Sequence, residues 1–313
     1  MVTSATPLSP GRAWIPYGDV GGLPPGLDVE VYDGVGAPPS EGAGVAFYVL
    51  PYTFDQAPLR VLAQMPDVQV VQTLTAGYEH VLPYLPPGAR LANGRGIHEA
   101  STAELAVALT LASLRGIPAF VRGQEAGEWL AGFYPALADK TVLILGYGAI
   151  GEAVERRLAG FEVDVVRVAR SARTTAQGTP VRAMDELPEL LPAADVVILT
   201  TPLTEATRGL VDEAFLARMR DGALLVNVAR GPVVDTKALL GALTTGRITA
   251  ALDVTDPEPL PADHPLRHAP GVLISPHVGG SSSAFLPRAH RLIRRQLTAW
   301  AEGRPLDNIV AGG

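Results

Sequence analysis

TVLILGYGAIG (residues 141–151) is the stretch that decides the fold of this 313-residue chain. An apolar run leads directly into Gly146-x-Gly148-x-x-Gly151, and each glycine meets a separate physical need. The first permits a tight turn off a strand, the second lets the backbone approach a pyrophosphate, and the third lets the next helix pack closely. The N-terminus of that helix offers N–H groups and a positive dipole end to the phosphates. The stretch therefore predicts a dinucleotide-binding strand–turn–helix.

The surroundings of the glycine loop make it more specific, since a lone GxGxxG in a chain with 33 glycines is weak evidence. Apolar residues recur at helical spacing after the loop, namely Ile150, Val154, Leu158 and Phe161. Strand-like runs then alternate with helix-like segments, and the strand candidates are residues 141–145, 163–169, 195–200, 223–228, 248–254 and 272–275. Continuous apolar strands separated by helices are typical of a parallel sheet covered on both faces. Six of them predict a doubly wound Rossmann domain.

The N-terminal part of the chain repeats this alternation more weakly and lacks a phosphate-binding glycine loop. Its strand candidates are residues 13–18, 28–33, 45–50, 68–74 and 90–93. We therefore predict an α/β protein of two domains. A smaller, discontinuous, flavodoxin-like substrate-binding domain comprises residues 1–98 and 286–313, and the Rossmann nucleotide-binding domain comprises residues 99–285.

Two helices are expected to connect these domains. Residues 101–122 predict one long linking helix, which Ser101 caps with Glu104 at the capping-box position. Residues 287–306 predict a helix that comes too late to belong to the Rossmann sheet. We expect it to pack back on the N-terminal domain.

Composition excludes several classes of protein. The chain contains no cysteine, so disulfides and thiolate metal sites are excluded, and we predict no metal. A formal charge of −7 with mixed signs argues against nucleic acid as the main partner. Residues 1–14 contain no apolar signal region, and the longest apolar run, residues 105–114, is too short to span a bilayer. We expect a cytoplasmic protein with no membrane association.

Four polar residues lie at or just beyond the predicted ends of successive strands. Arg230 follows one strand in VNVARGPVVD, and His277 follows the last in SPHVGG. Between them, Asp253 ends a strand and Glu258 lies in the loop of ALDVTDPEPL. In an open α/β sheet, ligands bind outside the carboxyl ends of the strands, so these side chains and the glycine loop converge on one crevice.

Each of these residues alone has an ordinary interpretation. A lone arginine at a strand end usually forms a surface ion pair, a glutamate in a DPEP turn is usually solvated, and a lone histidine is more often structural. The combination of Arg230, Glu258 and His277 on successive strand ends favours a functional site. No comparable setting surrounds the other histidines, to which we assign no function: His80, His98, His264, His268 and His290.

These motifs, in this order, resemble those of the D-2-hydroxyacid dehydrogenases, which include glyoxylate/hydroxypyruvate reductases, D-lactate dehydrogenases and phosphoglycerate dehydrogenases. The resemblance runs from TLTAGYEHV (residues 73–81) through the glycine loop, residues 200–235, ALDVTDPEPL and SPHVGGSS to the DNIV tail, so it covers nearly the whole chain. It implies an oxidoreductase that transfers a hydride between a nicotinamide cofactor and a small 2-oxo acid or D-2-hydroxy acid.

By this resemblance, Arg230, Glu258 and His277 are the catalytic residues. Protonated His277 would donate the proton that the carbonyl oxygen needs, and would accept it in the reverse direction. Glu258 would favour the imidazolium and fix the orientation of the ring. Arg230 would hold the substrate carboxylate and polarise the carbonyl. Backbone N–H groups of the loop containing Ala76 and Gly77 would supply a second grip on the carboxylate.

The resemblance also implies a set of cofactor-binding residues. They are Gly146, Tyr147, Gly148, Ala149, Ile150 and Gly151 in the glycine loop, Arg170, Ser171 and Arg173 after the second Rossmann strand, and Thr201, Pro202, Thr207, Val228, Ala229, Asp253, Gly279 and Gly280 at the other strand ends. Asp253 is expected on the nicotinamide carboxamide side of the cofactor, with Gly279 and Gly280 allowing its close approach.

The end of the second Rossmann strand distinguishes the two nicotinamide cofactors. An acidic residue there would bind the ribose hydroxyls and repel a 2′-phosphate. This chain instead has Arg170, followed by Ser171 and Arg173, and arginine pairs bidentately with phosphate. We therefore expect NADP(H) to be preferred over NAD(H). The alternative is a solvated basic turn in an enzyme that uses both cofactors.

The substrate is less well defined. Leu50-Pro51-Tyr52 should face the substrate side chain and carries no charge, which disfavours a phosphorylated substrate. Tyr52 would contact the substrate, although a packing role is the alternative. Glyoxylate, hydroxypyruvate and larger aliphatic or aromatic 2-oxo acids all stay open. Related enzymes dimerise through the linking helix, so we expect a homodimer in which Trp129, Phe133 or Tyr134 reaches the partner.

Two other functions compete with this hypothesis. One is a non-catalytic NAD(P) sensor or corepressor on the same fold, which the three filled catalytic positions mildly disfavour. The other is a Rossmann dehydrogenase that acts on amino acids. Oxidation of cofactor with 2-oxo acids, and its dependence on ammonia, would separate these alternatives.

Overall fold

The computed structural model describes residues 11–53 and 55–312. The chain forms two compact units. The smaller comprises the described residues through His98 together with those from Ser283 onward, and the larger is Glu99–Ser282. The second boundary thus falls at 282/283, where the sequence analysis places it at 285/286. Each unit has its own sheet and its own hydrophobic core.

Short strands and helices alternate along the described chain. The strands are β1 (Arg12–Ile15), β2 (Val29–Val31), β3 (Val45–Val49), β4 (Val70–Gln72), β5 (Arg90–Ala92), β6 (Thr141–Leu145), β7 (Asp164–Ala169), β8 (Arg173–Thr174), β9 (Pro180–Ala183), β10 (Val196–Leu199), β11 (Leu224–Asn227), β12 (Thr249–Leu252), β13 (Val272–Ile274) and β14 (Ile309–Ala311). The α-helices are α1 (Ala57–Arg60), α2 (Glu99–Leu114), α3 (Ile117–Ala126), α4 (Ala149–Leu158), α5 (Leu187–Leu190), α6 (Glu213–Arg218), α7 (Thr236–Thr244) and α8 (Phe285–Ala301). Short 3₁₀ turns cover Val61–Gln64, Leu82–Tyr84, Met184–Glu186, Leu191–Ala193, Gly231–Val233 and Pro265–His268.

The larger unit is built on an eight-stranded sheet in the order β13-β12-β11-β10-β6-β7-β9-β8. Its strands are parallel except for β8, which pairs antiparallel with β9. Because β6 is flanked by β7 on one side and β10 on the other, the strand order reverses beside it, as in a doubly wound sheet. All six strands predicted in this part of the chain are present, and the predicted Rossmann architecture is confirmed.

Both faces of this sheet are covered, as the apolar strands require. Alternate residues of β6 point to opposite faces, and the four residues after Thr141 are fully buried. Leu143 and Leu145 pack in one cluster, whereas Val142 and Ile144 pack in the other with residues of α2 and α4, including Leu158. This two-sided burial leaves the carboxyl ends of the strands as the place where polar side chains gather.

The smaller unit contains a six-stranded sheet in the order β14-β5-β4-β3-β1-β2. Its five parallel strands follow the flavodoxin-like order 2-1-3-4-5, which confirms the predicted fold class. β14 joins antiparallel beside β5, with Ile309 opposite Ala92. Helix α8 packs on this sheet through buried residues that include Ile293 and Trp300, and the Trp300 ring lies 5.3 Å from that of Phe47. The prediction that the late helix packs on the N-terminal half is confirmed.

The prediction of one long linking helix over residues 101–122 is wrong. The structure contains two helices, α2 and α3, which are bent by 62° relative to each other. Gly116 adopts a left-handed φ of 70° at the break, and Pro118 follows, so the chain loses a backbone donor where the helix would continue. Ser101 is not the cap, because α2 begins at Glu99. The Ser101 hydroxyl instead bonds that of Ser282 at 2.6 Å.

Two searches of the described residues found neither a membrane span nor a metal site. No single helix there is long and apolar enough to cross a membrane; the bent pair α2 and α3 meets the criterion only jointly, by length and composition. No group of three or more His, Asp or Glu side chains within residues 11–53 and 55–312 is placed to hold a metal ion.

A pair of buried glutamines joins helix α8 to strand β4. Gln72 and Gln296 are both fully buried, and Nε2 of Gln296 donates to Oε1 of Gln72 at 2.7 Å. The Gln296 amide also bonds both backbone groups of Asp307, at 2.9 and 3.0 Å. Nε2 of Gln72 donates to the carbonyls of Thr73 and Asn93, at 2.7 and 2.9 Å. The C-terminal segment is thereby tied to the loop after β4.

We predict that Gln296→Leu destabilises the smaller unit. The change leaves the buried Oε1 of Gln72 without its donor and removes both bonds to the Asp307 backbone, which costs about 1–3 kcal/mol of unfolding free energy. Urea denaturation followed by circular dichroism measures the loss. Arg291→Ala, an exposed change on the same helix, is the matched control and should stay within about 0.5 kcal/mol of the wild type. Equal stability of both variants would contradict the role of the glutamine pair.

Candidate active site

The glycine loop is fixed to both strands that flank β6. Gly146 has a φ of 104°, and a Cβ placed on it would lie 2.5 Å from the backbone nitrogen of Thr201, so only glycine fits. The N–H groups of Gly146 and Tyr147 both donate to the carbonyl of Val168 at the end of β7, at 2.9 and 2.8 Å. The turn is therefore rigid before any ligand arrives.

The space above this loop fits the diphosphate of a dinucleotide. Helix α4 begins at Ala149, directly after Gly148, so its first N–H groups have no helical acceptor. A Cβ on Gly148 would meet no atom closer than 4.0 Å. Thr201 is buried, and its hydroxyl has no hydrogen-bond partner among the described residues, which a phosphate or ribose oxygen would supply. Ile150 packs partly against the core, and Gly151 is buried where α4 crosses β6.

The side chains predicted to select the cofactor lie just past β7. Arg170, Ser171 and Arg173 are all exposed. The guanidinium of Arg173 donates a short hydrogen bond to the backbone carbonyl of Tyr147, which brings this cation to the glycine loop. Because a guanidinium has five N–H donors, the remaining ones can meet an anion.

Asn227, which the sequence analysis missed, shapes the turn after β11. It is 1% exposed; its Oδ1 accepts from the N–H of Ala229 at 3.0 Å, and its Nδ2 donates to the carbonyl of Arg230 at 3.1 Å. Nη1 of the half-buried Arg230 donates to the carbonyl of Ala229 at 2.7 Å. A Cβ on Gly231 would lie 1.9 Å from the carbonyl oxygen of Thr255. Only glycine lets the turn that carries Arg230 pass so close to the chain after β12.

Asp253, just after β12, is buried and uses its carboxylate within the protein. Oδ1 accepts from the Ser275 hydroxyl at 2.6 Å and from the N–H of Val278 at 2.9 Å. Oδ2 accepts from the N–H of Gly279 at 2.8 Å. The backbone carbonyl of Asp253 accepts from the N–H of His277, also at 2.8 Å. Its contacts in the described residues hold the loop that carries His277, and its place beside the cofactor stays a prediction.

His277 and Glu258 are joined by a short hydrogen bond between Nδ1 and Oε1. Both side chains are about one third exposed, at 31% and 34%, so they stay accessible to a ligand. His277 has a φ of 53°, a left-handed conformation that non-glycine residues seldom adopt. Such conformations persist where surrounding contacts hold them, as the bonds to Asp253 do here. Gly279, buried, and Gly280, half-buried, follow directly in the chain.

The remaining predicted cofactor residues lie in the turns after β10 and β11. The Thr207 hydroxyl donates to the carbonyl of Pro202 at 2.7 Å and accepts from the N–H of Thr204 at 2.8 Å, so it shapes the turn from within. Val228 and Ala229 are buried at the end of β11. The hydroxyl of Thr207 and the side chains of Val228 and Ala229 are thus engaged within the protein.

The predicted substrate loop lies in the smaller unit, directly after β4. Nδ2 of Asn93 donates to the carbonyl of Ala76 at 2.8 Å, and Nε2 of His98 bonds the carbonyl of Leu74 at 2.7 Å. Ala76 and Gly77 are half-buried. The sequence analysis assigns no function to His98, yet this histidine holds the loop. The sequence signal that could have identified Asn93 is that it is a polar residue directly after β5.

Tyr52 lies in an aromatic cluster of the smaller unit. Its ring centre is 4.4 Å from that of Phe285 and 5.4 Å from that of His98. The side chain is half-buried. The packing role considered for Tyr52 therefore has direct support, and contact with a substrate stays a prediction.

Comparison with known proteins identifies the family. The family model described as "D-isomer specific 2-hydroxyacid dehydrogenase, NAD binding domain" matches residues 107–279, which lie within the larger unit. The chain belongs to this family of dehydrogenases. The dehydrogenase thus has its NAD(P)-binding domain in the doubly wound unit, and the resemblance noted in the sequence is confirmed.

Relatives of this dehydrogenase include named glyoxylate reductases. The chain is 33% identical over 268 residues to the glyoxylate reductase of Thermofilum pendens, covering 82% of this chain and 78% of that protein. It is also 33% identical to the glyoxylate reductase/hydroxypyruvate reductase of Homo sapiens, covering 77% and 76%. A solved structure of an NADPH-dependent glyoxylate/hydroxypyruvate reductase from Sinorhizobium meliloti, in complex with NADP and sulfate, is similar with a TM-score of 0.79 and 26% identity, covering 91% of each chain.

We predict that Asp253→Asn loosens the loop that carries His277. The carboxamide places N–H donors where backbone N–H groups of Val278 and Gly279 now donate, so at least one bond is lost and the loop opens about 1–3 kcal/mol more easily. Hydrogen–deuterium exchange of peptides that cover residues 275–280 measures the effect as faster exchange. Asp263→Asn, on an exposed carboxylate, is the matched control. Unchanged exchange in the Asp253 variant would contradict the anchoring role.

Proposed function

We propose that this dehydrogenase reduces a small 2-oxo acid of the glyoxylate/hydroxypyruvate type to the D-2-hydroxy acid, with NADPH as the preferred reductant. The observation that carries the proposal is the hydrogen bond between His277, on a loop after β13, and Glu258. Arg230 follows β11 in the same sheet, two strands away. A proton donor and a carboxylate-binding cation thus share the edge of the sheet that carries the glycine loop.

His277 would act as the general acid. When bound, the cofactor supplies the hydride to the carbonyl carbon, and the carbonyl oxygen then needs a proton. Because Glu258 engages Nδ1, Nε2 is the ring atom from which the proton would leave. Glu258 also fixes the rotation of the ring, so that the donor does not have to be ordered at the moment of reaction. In the reverse direction, the same nitrogen would accept the proton of the hydroxyl group.

Arg230 would bind the substrate carboxylate. One of its N–H donors is used by the carbonyl of Ala229, which fixes the side chain and leaves the rest of the fork for a ligand. A planar guanidinium matches a carboxylate in two parallel hydrogen bonds. Backbone N–H groups around Ala76 and Gly77 are proposed to donate further hydrogen bonds to the substrate carboxylate. Asn93 and His98 hold the loop that carries these groups.

The preference for NADPH rests on the basic segment after β7. Arg170 and Arg173 are exposed, and Arg173 is tied to the glycine loop, so a 2′-phosphate would meet two cations. A ribose hydroxyl of NADH would gain far less from the same side chains. The relative from Sinorhizobium meliloti was solved with NADP, which supports the same preference.

The substrate is proposed to be small and unphosphorylated. Leu50, Pro51 and Tyr52 offer no cation for a phosphate, and Tyr52 packs against His98 and Phe285. Glyoxylate and hydroxypyruvate fit this environment, and they are the substrates in the names of the relatives.

The active form is proposed to be a homodimer. Large apolar side chains are exposed on α3 and on the segment that follows it, namely Ile117, Val121, Trp129, Leu130 and Phe133. Trp129 is 95% exposed, which is unusual for an indole in a folded chain. A second copy that covers these side chains would remove that apolar surface from water. A solution mass equal to one chain would contradict the dimer.

The test of the function is a spectrophotometric panel of 2-oxo acids with NADPH and with NADH. We predict oxidation of NADPH by glyoxylate or hydroxypyruvate, with kcat/KM for NADPH at least about tenfold above that for NADH. No oxidation with any 2-oxo acid would favour a non-catalytic sensor. Oxidation only when ammonia is present would indicate an amino acid dehydrogenase. A clear preference for NADH would overturn the cofactor assignment.

We predict that His277→Gln lowers kcat by about 10²–10⁴-fold, the usual contribution of a general acid, while NADPH binding stays within about twofold. Stopped-flow turnover and fluorescence titration measure the two quantities. Glu258→Gln should lower kcat less, because the imidazole stays in place without its fixed orientation. His268→Gln, on an exposed histidine, is the control. Full activity of the His277 variant would refute its role.

A further inference from the structure

The residue between the first two glycines of the loop is tied into a half-buried polar cluster on α4 and β7. Tyr147 is 6% exposed, and its phenol donates a short hydrogen bond to Glu155 on α4. Glu155 in turn accepts from Arg167 on β7, in a bond from Nε at 2.8 Å and a shorter one from Nη2. The Arg167 guanidinium also lies over the Tyr147 ring, 5.9 Å from its centre. We call Tyr147, Glu155 and Arg167 the tyrosine cluster.

The charges within the tyrosine cluster are mutually satisfied. Burial, followed by the hydrogen bond to Glu155, raises the pKa of Tyr147 to about 12, so the phenol stays a donor. Burial alone would raise the pKa of Glu155, but the bonds from Arg167 and Tyr147 outweigh it and lower that pKa. The bond to Glu155 raises the pKa of Arg167. The cluster therefore keeps one arrangement across the neutral pH range.

Tyr147 also connects the glycine loop to the segment that carries the exposed arginines. Its backbone N–H donates to Val168, and its carbonyl accepts from Arg173. Its side chain reaches β7 again through Glu155 and Arg167, three residues before Arg170. Tyr147 thus connects the glycine loop to both ends of residues 167–173. Its side chain reaches Arg167 through Glu155, and its backbone carbonyl accepts from Arg173.

We propose that the tyrosine cluster is a positioning device for cofactor selection: by clamping Tyr147, it sets where Arg173 stands relative to the glycine loop, and so adjusts the site for a 2′-phosphate. This inference rests on the proposed preference for NADPH. The side chains of the cluster would act on the proposed phosphate site through Arg173, whereas the backbone of Tyr147 is part of the glycine loop itself. NADH, which lacks the 2′-phosphate, shares the glycine loop but makes no use of the position of Arg173, so loosening the cluster would weaken NADH binding less than NADPH binding.

The test is Tyr147→Phe, which keeps the ring and removes only the phenol hydroxyl. Isothermal titration of the full chain gives Kd for NADPH and NADH in the absence of substrate. We expect Kd for NADPH to rise about fivefold, the equivalent of one lost hydrogen bond, and Kd for NADH to rise less than about twofold. Glu155→Gln should shift the same ratio in the same direction. Equal changes for both cofactors, or no change, would overturn the proposal.

Two comparisons separate this inference from the function on which it rests. Tyr48→Phe removes a buried phenol hydroxyl in the smaller unit, which donates to Pro58 at 3.3 Å, and should leave both Kd values unchanged. Arg173→Ala should raise Kd for NADPH at least as much as Tyr147→Phe does. If the wild type does not prefer NADPH, the proposed cofactor preference fails. If it does prefer NADPH and only Arg173→Ala changes the ratio, the positioning role alone fails.

A further readout does not depend on any cofactor. In the protein without ligand, Tyr147→Phe should accelerate hydrogen–deuterium exchange of peptides that cover residues 146–148 and 170–174, whereas Tyr48→Phe should not. A fold that merely lost stability would show faster exchange across both units. Unchanged exchange in these two segments would show that Tyr147 does not clamp them, and the proposal would be wrong.

Discussion

The candidate active site depends on the hydrogen bonds that the buried carboxylate of Asp253 accepts. A carboxylate out of water needs donors for its lone pairs, and the chain supplies them from one short loop, through Ser275, Val278 and Gly279. The loop has no regular structure of its own, so these bonds decide where His277 stands. The backbone carbonyl of the same aspartate accepts from the N–H of His277, which has a left-handed conformation. The hydrogen bonds that the buried Asp253 carboxylate needs thus determine where His277, the proposed general acid, lies.

A similar arrangement occurs at the end of the neighbouring strand, β11. Asn227 is buried and closes the turn that presents Arg230, while Gly231 allows that turn to pass against Thr255. In each case an uncharged or fully paired residue beneath the surface holds a charged residue at the surface. Parallel strands bring these pairs to one edge, because all their carboxyl ends point the same way. The sheet therefore brings the residues of the site to one edge. The polar residues beneath them, through their hydrogen bonds, fix the position of each one.

The sequence predicts the architecture well because its signals are local and periodic. Continuous apolar strands and the glycine loop predict the doubly wound sheet. The polar residues at the ends of those strands indicate Arg230, Glu258 and His277 as candidate catalytic residues. The pattern failed at the linking helix, because the apolar periodicity continues through Gly116 while the backbone does not. It also missed Asn227, His98 and the glutamine pair. Asn227 bonds backbone groups two and three residues further on, a contact that its residue type alone does not distinguish from ordinary turn chemistry. His98 and the two glutamines bond groups far away in the chain, and no spacing within a window of sequence encodes such contacts.

The discontinuous smaller unit has a consequence for the order in which the protein is made. β14 covers the edge of β5, and α8 covers one face of the same sheet, yet both come from the last part of the chain. The larger unit is a single contiguous segment and can fold on the ribosome as soon as it emerges. The smaller unit must wait, with an open strand edge and an uncovered apolar face, until the final helix is released. During synthesis, strands β1 to β5 therefore reach their final packing only after the whole larger unit has been made.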